Sequence, residues 1–379
     1  MNDILPTEQS WYLVFFNLCL ILMMFGLMKK ALKTPNTVLI SNRLLAVALM
    51  FIFVLFSFWG ADWFHYLKYY PFLQNGFAGH MEDIYVWIVQ NLTVDYLSFR
   101  FIVWGGGLIL FLYLIKLLPI KTDLVLLIFS SIWIARFSYA RASLAMVILY
   151  LGIILLLSKG KNLLYTLVGL LIIASSAYFH KSTFFGIALV TIAFLSMLMK
   201  PKYFISLFIL SVPVIVYILK GFIGDFLLMD AAEEGVMGDM AHGQVYLGAE
   251  EFNRGVGPLL ARFLEFSPYY LVAFISLKLV YSNIKNKIHQ IPKEIMFLMR
   301  YVIIGVIVSS IFFFNLGFGD TSLIAGRFLR FFAIPSAIVL AYLIENKLFY
   351  SLSRKTFYIG FIGLLYAVTY SMYCAFVNQ

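Results

Sequence analysis

The sequence predicts an all-α, polytopic integral membrane protein, and three observations carry that prediction. Hydrophobic residues make up 63% of the 379 residues and charged residues only 12%. The mean hydropathy is +0.94, whereas a soluble domain carries about a quarter charged residues. Basic residues lie between apolar stretches of about 20 residues, the length that a helix needs to cross a bilayer. These features exclude a soluble globular domain.

The apolar stretches divide into about twelve predicted transmembrane helices in a single domain over residues 1–379. Their predicted ranges are 11–28, 38–58, 100–118, 122–136, 141–158, 162–179, 182–199, 203–220, 258–281, 295–316, 326–345 and 356–375. Leu124–Ser158 and Asn162–Met199 are each too long for one span, because a helix of about 35 residues would measure about 52 Å against a hydrocarbon core of about 30 Å. We therefore predict two hairpins, with breaks at Arg136–Arg141 and His180–Lys181.

Lysine and arginine separate to opposite faces of this topology. The segment before the first span carries no Lys or Arg, which argues against a cleaved signal peptide, and lysines follow the span, which favours an external N-terminus. Fifteen of the eighteen lysines then face the cytoplasm and seven of the ten arginines face outward. The outward arginines are Arg100, Arg136, Arg141, Arg254, Arg262, Arg327 and Arg330. Because the guanidinium fork matches phosphate or carboxylate oxygens two at a time, the arginine face is the predicted site.

Two predicted outer segments are long enough for a functional role, since long loops in compact proteins are often functional. Residues 59–99 form the first and are rich in aromatics, and residues 221–257 form the second and are acidic. The first is expected to carry an interfacial helix on the membrane surface. The residues spaced to share one face of that helix are Tyr85, Trp87, Ile88 and Leu92.

Motifs for metals, nucleotides and disulfides are missing. Gly105–Gly107 lies in an apolar span with no Lys-Ser/Thr after it, which favours close helix packing over phosphate binding. Cys19 and Cys374 both lie in apolar segments, and the acidic residues around Asp239 and His242 are expected to be solvated. We predict no metal and no cofactor. Nucleic acid is not an expected partner, because membrane orientation explains the basic residues.

The outward arginines form the predicted substrate-binding site. Arg327 and Arg330 are three apart, so on a helix both could bind one diphosphate. Arg136 and Arg141 flank a helix break that opens to the same surface. A single arginine could simply anchor to lipid headgroups, but a set of charges near the hydrocarbon tends to line a pathway. The predicted substrate-binding residues are Arg136, Arg141, Arg254, Arg262, Arg327 and Arg330.

Three side chains are predicted catalytic residues because each could accept a proton. His180 ends the sixth span and comes first, because imidazole titrates near working pH. Asp62 and Glu82 follow in the first outer segment, provided that this segment folds over the outer ends of the spans. A histidine anchored at the membrane interface is the alternative for His180.

Four motifs resemble those of the EpsG-type and Wzy-type polysaccharide polymerases. They are Arg141-Ala-Ser-Leu-Ala145, Phe179-His180-Lys181-Ser182, Gly60-Ala-Asp62-Trp-Phe-His-Tyr66 and Gly326-Arg327-Phe-Leu-Arg330. The pattern of spans and loops is similar over essentially the whole chain, although Ala142 stands where a glutamine is common in that family. The resemblance implies a membrane glycosyltransferase of the GT-C kind, acting on polyprenyl-diphosphate-linked oligosaccharides at the periplasmic face of a bacterial inner membrane.

The residues and the resemblance together predict an O-antigen or exopolysaccharide polymerase. The donor and the acceptor are undecaprenyl-diphosphate-linked repeat units, membrane lipids surround them, and a chain-length regulator protein is a candidate partner. The glycan moves to an acceptor hydroxyl while arginines stabilise the charge that grows on the leaving diphosphate. Two alternatives stay open, namely an O-antigen ligase and a lipid-linked oligosaccharide flippase or secondary transporter. Transporters often contain two related halves, but no obvious repeat relates the two halves of this sequence.

Overall fold

A computed structural model describes most of the chain. It describes residues 11–33, 40–56, 61–77, 81–134, 140–159, 162–180, 183–200, 203, 206, 256–286, 291–313 and 329–377. Regular secondary structure in these ranges is entirely helical. The predicted all-α class is therefore confirmed, and the following paragraphs refer to these ranges.

The helices follow one another in a simple order. They are α1 (Trp11–Lys33), α2 (Ile40–Phe56), α3 (Ala61–Gln74), α4 (Asp83–Leu92), α5 (Tyr96–Arg100), a π-helical turn (Phe101–Gly105), α6 (Gly106–Lys116), α7 (Thr122–Ile132), α8 (Ala140–Lys159), α9 (Leu163–Phe179), α10 (Thr183–Met197), α11 (Val256–Asn286), α12 (Lys293–Phe313), α13 (Ala333–Glu345) and α14 (Tyr350–Val377). Helices overlap every predicted span except 203–220, which lies almost wholly outside the described residues.

Both predicted hairpins contain the expected helix break. Helix α7 ends at Ile132 before α8 begins at Ala140, and α9 ends at Phe179 before α10 begins at Thr183. The part of the chain that the structure describes contains 5 helices long and apolar enough to cross a membrane, together with shorter apolar helices. Large apolar side chains such as Leu171 are exposed on the outside of the bundle, as lipid contact requires. The chain is a multi-pass membrane protein, and the twelve-span topology stays a prediction.

The antiparallel pair α8 and α9 defines the two ends of the bundle. The pair packs closely where two glycines meet, because a Cβ at Gly152 would lie 2.7 Å from the carbonyl oxygen of Gly169. We call the end where α8 begins the upper end and the opposite end the lower end. At the lower end Arg43 pairs with Asp123, and the Glu345 carboxylate accepts the Lys121 backbone N–H at 3.0 Å. The topology predicted from the sequence had placed these groups on one side.

Two short helices, α7 and α13, form the centre of the bundle. Residues 333–344 of α13 are buried on every side, which an apolar helix tolerates only in a core. Its 13 residues span about 20 Å, less than the hydrocarbon thickness of about 30 Å. A Cβ at Gly305 of α12 would collide with the Phe332 ring, so glycine is needed for the chain to enter the core here. Helix α13 therefore begins inside the bundle.

Candidate functional site

A polar cluster lies at the upper end, where Arg141 begins α8. The Arg141 Nε–H donates to the Tyr66 hydroxyl at 2.8 Å, and its Nη1 donates to Glu82 Oε2 at 3.0 Å. Their side chains are mostly buried, with 17% of Arg141 and 10% of Glu82 exposed. The fork of the guanidinium is thus held between α3 and the start of α4. We call Tyr66, Glu82, Tyr85 and Arg141 the Arg141 cluster.

Helix α4 carries Glu82 to this position. Glu82 is the N-cap residue, and its carbonyl accepts the Tyr85 backbone N–H at 2.9 Å. The helix buries one face against the bundle. That face carries Tyr85, Ile88 and Val89, which are spaced three and four residues apart. Trp87 and Leu92 are exposed, so the prediction that they share one helical face with Tyr85 and Ile88 does not match their exposure, and for Trp87 it is wrong. The reason is helical geometry, since position 87 is two residues from 85 and points to another side.

Tyr85 connects the cluster to the end of α9. Its ring is fully buried and its hydroxyl donates to the carbonyl oxygen of Phe179, the last residue of α9, at 2.8 Å. Burial raises the pKa of Tyr85, and nearby Tyr66 and Glu82 act in the same direction, so the phenol stays a donor. His180 follows Phe179 with extended backbone and is half-buried. The structure therefore brings the position of His180 next to the Arg141 cluster.

Aromatic packing and capping fix α3 and α5 beside this cluster. The Tyr66 ring meets Trp104 edge-on at 5.6 Å between centroids, and the Tyr70 hydroxyl lies 2.8 Å from the Thr93 hydroxyl. Asp95 caps α5 by accepting the Ser98 backbone N–H at 2.8 Å, which lowers the pKa of Asp95. Helices α3, α4 and α5 thus form a folded segment with its own hydrogen bonds at the upper end, and we call this segment the cover.

Arg100 also lies at the upper end, but it has a structural role. Its side chain is 2% exposed, and it donates to the carbonyls of Leu55 at 3.0 Å and Val54 at 2.8 Å. These carbonyls belong to the last turn of α2, which has no intrahelical partners for them. The guanidinium also lies 4.7 Å from the centre of the Trp104 ring. Arg300 does the same at the lower end, where it donates to the carbonyls of Ser196 and Met199 at the end of α10.

Arg330 lies deeper than its predicted place at the outer end of a span. The Tyr150 hydroxyl donates to the carbonyl of Phe331, so this segment is level with Tyr150 of α8. Tyr150 comes nine residues after Arg141, which is about 14 Å along a helix. Arg330 is half-buried just before α13 begins. Its backbone therefore lies below the Arg141 cluster.

The other predicted site residues are less informative. Asp62 lies in α3 one turn before Tyr66, and Arg262 lies in the first part of α11. Arg136, Arg254 and Arg327 fall outside the described residues. Within the part of the chain that the structure describes, no group of three His, Cys, Asp or Glu side chains could hold a metal ion.

Tyr66 and Tyr85 received no role from the sequence. Tyr66 stands in one of the motifs quoted above, and Tyr85 was assigned only to an amphipathic face. A buried tyrosine needs a partner for its hydroxyl, so a tyrosine on the apolar face predicted for this helix was a usable signal. The partner itself lies 94 positions away and leaves no trace in local spacing.

The fold and the site define a class, namely an all-helical, multi-pass membrane protein with a buried arginine–carboxylate–tyrosine cluster at one end of the bundle. The EpsG family model matches residues 42–378, and the chain belongs to the EpsG family. The match covers every element that contributes to the Arg141 cluster. Comparisons with curated proteins and with solved structures give no match. Membership of this family indicates a membrane polysaccharide polymerase.

Proposed function

We propose that this protein polymerises lipid-linked oligosaccharide repeat units at its upper end. The donor is a glycan on undecaprenyl diphosphate, and the acceptor is a sugar hydroxyl of a second lipid-linked unit. Family membership supports the polymerase class. The observation that carries the proposal is the Arg141 guanidinium, held by Tyr66 and Glu82 beside the His180 segment.

Arg141 acts on the leaving group. Glycosyl transfer passes through an oxocarbenium-like state while negative charge grows on the departing diphosphate. A guanidinium that is already oriented stabilises that charge without reorganising, so it lowers the barrier more than it tightens substrate binding. The exposed 17% of the Arg141 side chain is the part that a diphosphate can reach. Arg330 contributes from below. The other predicted substrate-binding arginines complete the set, and they are Arg136, Arg254, Arg262 and Arg327.

Glu82 and His180 have two different roles, since one orients Arg141 and the other accepts a proton. The Glu82 carboxylate accepts the Arg141 Nη1–H at 3.0 Å, and this ion pair holds the guanidinium in place. Glu82 therefore orients Arg141. His180 accepts the proton of the acceptor hydroxyl, since neutral imidazole is a competent base near pH 7. Asp62, one turn before Tyr66, is the second choice for that role.

The upper end faces the periplasm of the inner membrane in this proposal. Lysines end α1, α6 and α8 and begin α12, and the rule that cytoplasmic loops are rich in lysine and arginine places those ends inside. The lower end, with its Arg43–Asp123 pair, then faces the cytoplasm. No nucleotide sugar is needed, because the donor already carries its diphosphate leaving group.

The test is reconstitution of the full chain in nanodiscs with lipid-linked repeat units extracted from a strain that lacks the gene. Without any nucleotide sugar, the proposal predicts a ladder of products that grow by whole repeat units. Absence of a ladder together with passage of the units across a liposome membrane would identify a transporter. A deletion strain that displays single repeats on its surface supports a polymerase, whereas loss of all surface attachment supports a ligase.

A further inference from the structure

We propose that Tyr85 is a positioning residue that couples the Arg141 ion pair to His180 through the first turn of α4. The inference rests on the proposed function and deepens it. It gives a role to the buried hydroxyl of Tyr85, which has no role in the sequence motifs or in stabilising the leaving diphosphate.

The first step is the contact that Tyr85 makes. Phe179 ends α9, and its carbonyl is one of the last four that have no partner inside the helix. The Tyr85 hydroxyl supplies that partner. It belongs to the buried face of α4 and donates to the Phe179 carbonyl oxygen at 2.8 Å. Without it, this partly buried carbonyl would lose a hydrogen bond, so the contact constrains the end of α9.

The second step concerns His180. The Phe179 carbonyl and the His180 N–H belong to the same planar peptide unit. A hydrogen bond to that oxygen therefore sets the plane from which the His180 side chain departs. The carbonyl of His180 in turn accepts the Thr183 N–H at 2.9 Å, which fixes the other side of the residue. Tyr85 thus controls one of the two peptide planes that flank the proposed base.

The third step links this contact to Arg141. Glu82 and Tyr85 form the first turn of α4 and are joined by a backbone hydrogen bond of 2.9 Å. Glu82 holds Arg141 at 3.0 Å, and Tyr85 holds Phe179 at 2.8 Å. One rigid turn therefore sets the separation between the group that stabilises the diphosphate and the group that activates the acceptor. Such a distance matters because catalysis falls steeply when reacting groups are misplaced by about 1 Å.

Tyr85→Phe tests the proposal, because it keeps the ring and removes only the hydroxyl. Tyr70→Phe is the matched control, since Tyr70 is 2% exposed on the same cover and its hydroxyl bonds to the Thr93 and Gln74 side chains of that cover. With extracted lipid-linked repeat units in nanodiscs, we expect Y85F to lower kcat about 10-fold to 100-fold with KM within about twofold. We expect Y70F to stay within about twofold of wild type for both constants.

A double-mutant cycle distinguishes positioning from general support. If Tyr85 acts through His180, Y85F should have no further effect in a His180→Ala background, because residues that act as a unit are not additive. An equal loss in both backgrounds, an equal loss in Y70F, or a Y85F protein that does not accumulate would overturn the inference. Failure of the wild-type protein to form a ladder would instead refute the proposed function. A wild-type ladder with full H180A activity would refute the coupling and leave the polymerase activity intact.

Discussion

Arg100 and Arg141 lie at the same end of the bundle, yet their surroundings differ in kind. Arg100 is 2% exposed and donates to two backbone carbonyls of α2. Arg141 keeps 17% of its side chain exposed and donates to two side chains, Tyr66 and Glu82. Backbone carbonyls at a helix C-terminus carry partial negative charge and stay in place, so Arg100 is committed to the fold. Side-chain acceptors and an exposed edge make Arg141 suited to a ligand.

The largest expected effect is on polymerisation by Arg141→Lys. Lysine keeps the charge but loses the planar fork that Tyr66 and Glu82 orient. Loss of one preoriented donor typically costs about 100-fold to 1000-fold in kcat, so we expect long glycan chains to disappear at normal protein level. The matched variant Arg100→Lys should keep chain length. Wild-type chain length in R141K would remove Arg141 from the site.

The next effect is on stability, from Arg100→Met. Methionine fills similar space and leaves the Leu55 and Val54 carbonyls without their donor, which should cost about 2–3 kcal/mol of unfolding free energy. The folded fraction should retain its specific polymerase activity within about threefold. Thermal unfolding in detergent and an activity assay on the same sample measure the two quantities. A large loss of specific activity with unchanged stability would reverse the roles given to the two arginines.

A smaller effect on activity is expected from Glu82→Gln. The amide keeps the shape of the side chain but not the charge that holds Arg141, so we expect about a 10-fold lower kcat, or about 1.4 kcal/mol. Asp83→Asn is the control, because Asp83 is the next residue and its side chain is exposed. Equal activity of E82Q and wild type would contradict an orienting role, and equal losses in E82Q and D83N would indicate a general effect of charge.

The smallest effect concerns the cover that carries the cluster. Asp95→Ala removes the α5 cap and should cost about 1 kcal/mol of stability at pH 7. Because the pKa of Asp95 is lowered by the Ser98 N–H, its contribution is present above the unfolded-state pKa and is lost as the pH falls through the lowered value. The difference between wild type and D95A should therefore shrink in strong acid. A difference that persists there would show that the cap is not electrostatic.

The sequence predicted the helices and their breaks well, because bilayer thickness limits the length of a span. The breaks before Ala140 and after Phe179 follow from that limit and from the charged residues near the middle of each long stretch. The difference between Arg100 and Arg141 could not be predicted. Their partners lie 45 and 59 positions away, and only packing of α2, α3 and α4 decides whether a carbonyl or a carboxylate meets the guanidinium.

The depth of Arg330 was also beyond the sequence. The sequence predicts one span from 326 to 345, but in the described part of this stretch a turn at Phe331 and Phe332 separates the helical Leu329 and Arg330 from α13, which begins at Ala333. A helix that is buried in the core need not match the thickness of the hydrocarbon layer. Its start is therefore set by neighbours such as Gly305 and Tyr150. Hydropathy contains no information about those neighbours, which is why it did not predict the turn before α13.

A cryo-EM map of the protein in nanodiscs with undecaprenyl diphosphate tests the central claim most directly. The account predicts diphosphate density at the upper end, with a phosphate oxygen about 2.7–2.9 Å from an Arg141 guanidinium nitrogen. Density for the diphosphate at the lower end, beside Arg43 or Arg300, or at the upper end without contact to Arg141, would contradict it.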